Sequence, residues 1–283
     1  MRKRSFFVRI GAMVLGLGLG LVVQAPETQA DEAAAIEAIV LQLAGADVIA
    51  LGEIHDNPAH HQVQAQLIAT LKPAAIVWEM VAPELAAELK LETLQDLDAL
   101  EAYLQWDRSG WPEFEIYAPV FQAAENARHF GAWVPRGAVG AAMEAGIASY
   151  FGAEADRFGL TQPLDQEAQS QREADQLANH CNAMPVEMLP ILVDIQRLRD
   201  AKLAQVAERA YFETGGPVVV ITGNGHARKD HGLFVYLSKA QPRLDLRAFG
   251  QAEEGGIQGD FDVTLSSPGI TRPDPCLAFS KQN

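Results

Sequence analysis

Apolar residues along this chain fall into two kinds of run. Short continuous ones bounded by glycine, proline or charge occur at 47–52 (DVIALG), 75–80 (AIVWEM) and 217–223 (PVVVITG), and read as buried strands. Residues 131–134, closed by Pro135-Arg136-Gly137, and the stretches 243–249 and 261–266 add three more. Between them lie segments of helical spacing. Asp56-Asn57-Pro58 is a helix start, with a capping side chain followed by a proline whose missing N–H costs nothing, and Pro73 ends that helix. Residues 83–106 carry Leu85, Leu89, Leu94, Leu97, Leu100 and Leu104 at helical intervals. Residues 118–130 begin another helix near Pro119, and 166–210 form a long polar helical stretch broken near Pro185 and Pro190. Strands alternating with helices predict an α/β fold: a mainly parallel central sheet, helices on both faces, and an inserted helical subdomain at about 153–212.

The first 30 residues stand apart. Arg2, Lys3, Arg4 and Arg9 precede a 14-residue apolar run, 10–23, and then Thr28-Gln29-Ala30. That is the layout of a cleavable export signal, and the run is short against the roughly 20 residues of a membrane-spanning helix. Residues 31–283 then form one mature domain delivered to the periplasm, with no stable membrane anchor and no cysteine near the cleavage site to carry a lipid. Its net charge, −15 for the whole chain, becomes about −18 without the signal, which repels nucleic acid and anionic membrane surfaces. Cys181 and Cys276 are the two cysteines, and export permits a disulfide between them.

Ionisable residues collect at strand ends. Glu53 and His55 follow the first strand in Gly52-Glu53-Ile54-His55. Glu79 ends the second, Arg136 follows the 131–134 strand, and His226 follows PVVVITG in Gly223-Asn224-Gly225-His226. In open α/β sheets ligands bind beyond the carboxyl ends of the strands, so these groups are expected to converge. A Gly-x-x-His spacing means little alone; two copies that each terminate a buried strand mean more. Glycine is expected there to turn the backbone sharply off the strand. Glu79, flanked by Ile76, Val77, Trp78 and Met80, needs a charged or hydrogen-bonding partner. Three chemistries stay open. A divalent transition metal held by His55, Glu79 and His226 would activate water. Glu53, His55, Glu79, Arg136 and His226 without metal would run acid–base hydrolysis. Histidine, tyrosine and arginine around an apolar cleft would bind haem.

At these residues the chain resembles a known family. GEIHDNPxHH at 52–61, VWEM at 77–80, Tyr117 with Pro119, Pro135-Arg136 and GNGHAR at 223–228 together look like the ChaN-type haem-binding uptake proteins. Those sit in a superfamily with the Tiki metalloproteases, the TraB and PrgY proteins and erythromycin esterase. The resemblance implies haem bound as cofacial pairs at a homodimer interface, tyrosine ligating iron and a histidine of the partner chain assisting. Tyr117 and Tyr150 are the candidate iron ligands, with His61 and Arg136 as further haem contacts; His60 and His61 are adjacent on a helix and cannot both face one site. Many ChaN-like proteins are lipoproteins, so this cysteine-free signal fits a freely diffusing periplasmic haem carrier. The Tiki branch implies instead a metal-dependent peptidase or esterase built on the same two loops.

Overall fold

The structure is a computed structural model that describes residues 21–23, 29–274 and 276–277; most of the expected export signal lies outside the described residues. Among the described residues seven strands form one sheet: β1 (Leu21–Val23), β2 (Val48–Glu53), β3 (Ala75–Trp78), β4 (Arg128–Gly131), β5 (Val218–Gly223), β6 (Leu246–Glu253) and β7 (Val263–Ser267). Their order is β1-β7-β6-β2-β5-β3-β4, and every pairing is parallel. The three continuous apolar runs become β2, β3 and β5, the centre of the sheet, because each must be covered on both faces. Ile49, Leu51, Ile76, Trp78, Val219 and Ile221 share one core with helices Gln29–Leu43, Pro58–Leu71 and Phe114–Ala123. Val48, Ala50, Ala75, Val77, Val218 and Val220 face the other way, against helices Leu189–Thr214 and Leu233–Ala240.

Several boundaries differ from the periodicity. The run 83–106 is three short helices, Pro83–Ala87, Leu91–Leu94 and Leu97–Leu104, because Asp96 caps the last of them by accepting from the Ala99 amide. β4 starts three residues earlier than expected, and the helix expected from 118 starts at Phe114 and carries Pro119 inside it. The long polar stretch splits into Gln166–Asn179 and Leu189–Thr214, with Pro190 in the first turn of the second, where it initiates rather than breaks. This helical insertion also covers one face of the sheet. Cys181, in the turn between its two helices, is disulfide-bonded to Cys276, with 5.5 Å between their Cα atoms, tying the C-terminal segment to the insertion.

Strand order makes the site. The chain runs from β2 out to β3 and β4, returns to lay β5 between β2 and β3, then crosses to the far side of β2 with β6 and β7. The carboxyl ends of β2, β5 and β3 are thereby neighbours: Glu53 pairs with Gly223, and the Glu79 amide, one residue past β3, donates to the Ile221 carbonyl at 3.1 Å.

Candidate functional site

Glu53 is sealed in the floor of the site. Its Oε1 accepts from Tyr117 Oη at 2.8 Å and lies 2.8 Å from His55 Nδ1; its Oε2 accepts from Gln64 Nε2 at 2.7 Å and lies 3.4 Å from His61 Nδ1. Burial alone would raise this carboxyl, but the His55 hydrogen bond, the imidazole charges and the Tyr117 hydrogen bond hold it below its ordinary value. His55 answers in kind. Burial opposes its charge, yet Glu53 and Glu79 push it up to about 9, so at neutral pH it is an imidazolium, with Trp111 packed on its ring at 4.8 Å.

Glu79 is the second buried carboxylate. Its Oε2 accepts from Thr222 Oγ1 at 2.6 Å and the Gly223 amide at 2.9 Å, while Oε1 lies 3.5 Å from His226 Nε2. Despite burial, the charges of His226 and His55 and these two hydrogen bonds bring it down to about 2. His226 Nδ1 donates to Asp200 Oδ1 at 2.6 Å. Burial disfavours the charged imidazole, but Glu79 and Asp200 raise it, whereas burial pushes the Asp200 carboxyl up. The floor is thus two carboxylate–imidazole pairs, Glu53–His55 and Asp200–His226, on either side of Glu79.

The first glycine of each loop is required by close approach, not by a turn. A Cβ on Gly52 would meet Asn224 Oδ1 at 2.5 Å, and one on Gly223 would meet His55 Nε2 at 2.8 Å. Gly223 has φ −61° and ψ 150°, ordinary extended backbone, so the expected sharp turn is absent there. Asn224 then clamps its loop to β6: its Oδ1 accepts from the Gln251 amide and its Nδ2 donates to the Gln251 carbonyl. The other loop is braced from outside. Asn57 caps its helix through the Ala59 amide and donates to Glu253, while Arg272 bridges Asp56 and Glu253.

Of the other expected residues, Tyr117 has no exposed surface; its hydroxyl donates to Glu53, and burial with that carboxylate keeps it protonated. It therefore scaffolds the floor and presents no oxygen to iron. His61 is equally sealed, its Nε2 donating to the His55 carbonyl. His60 accepts from the Ile54 amide at Nδ1 and is pushed by burial down to about 4, a neutral structural residue. Tyr150 is 42% exposed on the helix Ile147–Phe151. Arg136 begins the helix Arg136–Ala145, but its side chain lies outside the described residues. Among the described residues no three His, Cys, Asp or Glu side chains are set as metal ligands; His55 and His226, expected with Glu79 as a metal centre, lie 3.9 and 3.5 Å from its carboxylate oxygens as imidazole–carboxylate contacts.

Above the floor opens a cleft of about 720 Å³. Leu192, Ile195, Gln196 and Arg199 reach it from one helix, Arg172 and Asp175 from Gln166–Asn179, and Arg228 and His231 from beyond the second loop. Asp200, Arg172, Arg199 and Trp111 were not picked out from the sequence. The signal available for the first three was charge recurring within helices that otherwise read as solvated.

A mainly parallel three-layer α/β fold with a carboxylate–imidazole floor at its switch point defines a class of ligand-binding protein. Residues 39–237 match the family described as haem-binding uptake, Tiki superfamily, ChaN, and the chain belongs to that family. Among solved structures it is similar to ChaN of Campylobacter jejuni, described for cofacial heme binding, at 21% identity and TM-score 0.62 over 81% of this chain and 90% of that one. It also matches the type III effector HopBA1 at 12% identity and TM-score 0.48, covering 83% of this chain and 94% of that one. No curated protein sequence matches. Among the described residues no helix is long and apolar enough to cross a membrane.

Gly223→Ala should destabilise the fold by about 1–3 kcal/mol in urea unfolding, because the methyl must displace the His55 ring. Gly225→Ala, whose Cβ would meet its nearest neighbour at 3.7 Å, serves as the control and should stay close to wild type. Equal effects at the two positions would contradict the packing described.

Proposed function

We propose that this protein is a periplasmic haem-binding protein serving haem or iron uptake, with the porphyrin seated in the cleft above the two Gly-x-x-His loops. The cleft carries this reading. Its volume falls in the usual range for a small-molecule pocket, and its lining combines apolar Leu192, Val193 and Ile195 with Arg172, Arg199 and His231. An apolar disc bearing two carboxylates requires that combination. Haem in the cleft would supply an iron, and a protein oxygen or nitrogen would take the position that holds it.

Tyr150 is the exposed phenol available for that position, and it is not among the residues lining the cleft of its own chain. The ligand therefore comes from a second copy, in keeping with the cofacial binding described for the Campylobacter jejuni protein, and the functional unit is a homodimer. His231, whose Nδ1 lies 3.5 Å from Asp175 and which burial holds towards its neutral form, is the assisting imidazole. The basic start and the 14-residue apolar run within residues 1–30, which read as an export signal, support a periplasmic location. Titrating apoprotein with hemin should give a saturable Soret shift at one hemin per chain, accompanied by dimerisation in sedimentation. Tyr150→Phe should change the ligand-sensitive visible bands, and Tyr117→Phe should leave them unchanged. A hemin titration with no saturable shift would sink this reading.

A second reading rests on a different observation, the two carboxylate–imidazole pairs flanking Glu79. A protonated His55 beside an ionised Glu79 can donate a proton to a leaving group, as in metal-free hydrolysis. It predicts ester or peptide turnover that His55→Ala and His226→Ala both abolish; an inactive wild type would contradict it.

A further inference from the structure

The chain is strongly acidic, so cations left without acidic partners are the informative ones. Arg228, at the cleft rim, is engaged by Asp175 and Asp230. Arg172 and Arg199 are different. Arg172 is 7% exposed and lines the cleft; its Nη1 makes one long contact, 3.5 Å, to Tyr236 Oη, and its Nε has no partner. Arg199 faces the same cleft from the neighbouring helix and, among the described residues, forms no hydrogen bond or ion pair. Asp200 acts on Arg172 through its field but is not ion-paired with it; its Oδ1 is committed to His226. A buried guanidinium presents five donors and keeps its charge, so leaving it without an acceptor is costly.

We propose that Arg172 and Arg199 form an oxyanion subsite that takes the carboxylate or phosphate groups of the cleft's ligand. Planar guanidinium groups match such oxygens through paired hydrogen bonds. Leu192 and Ile195 on the Arg199 helix supply an apolar surface beside the anionic end, so the ligand class is an apolar body carrying at least one oxyanion. Where that ligand is haem, an assignment that rests on the preceding reading, the two arginines receive the two propionates.

Two arms separate the subsite from the haem assignment. In the first, inorganic phosphate is the probe: at matched ionic strength it should raise the thermal midpoint of wild-type protein relative to chloride, and Arg199→Gln should lose most of that rise. Arg199 is only half-buried, so this variant tests the subsite even if Arg172→Gln fails to fold. In the second, hemin is compared with hemin dimethyl ester. Arg199→Gln should weaken hemin about tenfold or more while leaving the ester within about twofold. If phosphate stabilises wild type and Arg199→Gln alike, or neither, the subsite is wrong. If phosphate behaves as expected but neither porphyrin binds, the subsite stands and the haem reading falls. If hemin binds but the variant weakens hemin and ester equally, the propionate assignment is overturned.

Discussion

Two buried carboxylates govern this site. Glu53 at the end of β2 and Glu79 just past β3 are each almost inaccessible to water, and an isolated buried charge costs several kcal/mol. Each is therefore surrounded by donors: Tyr117, Gln64, His55 and His61 around Glu53, and Thr222, the Gly223 amide, His226 and His55 around Glu79. His55 belongs to both sets, so the two loops cannot be positioned independently. The strand order puts them side by side, and the carboxylates lock them there.

That constraint explains the repeated motif. In each loop the histidine pairs with a carboxylate and the glycine makes room for a side chain from the opposite loop: Gly52 for Asn224, Gly223 for His55. The apparent repeat is thus one reciprocal contact between β2 and β5. The same packing leaves Tyr117 and His61 inside the floor, beyond the reach of a ligand in the cleft.

The fold was largely legible because its signals are local. Continuous apolar runs marked β2, β3 and β5, and Asn57-Pro58 marked a helix start that the structure reproduces. Helix boundaries around 83–130 were less so: Asp96 caps a new helix through the Ala99 amide inside a run of evenly spaced leucines, and Pro119 lies within a helix that begins at Phe114. Among site residues, Glu53, His55, Glu79 and His226 stood out because each follows a strand. Asp200, Arg172 and Arg199 sit on long polar helices, where nothing local separates a buried charge from a solvated one. Tyr117 misled for a related reason: a tyrosine at a helix start has the same sequence signature whether its hydroxyl faces iron or a buried glutamate.

The claim that these carboxylates set the charge of the floor is most directly tested by nitrogen-15 NMR of the histidine side chains across pH. His55 should be doubly protonated at neutral pH and titrate near pH 9, while His60 should be neutral there and titrate near pH 4. Finding His55 neutral at pH 7, or both histidines titrating together near an unperturbed 6.5, would contradict it.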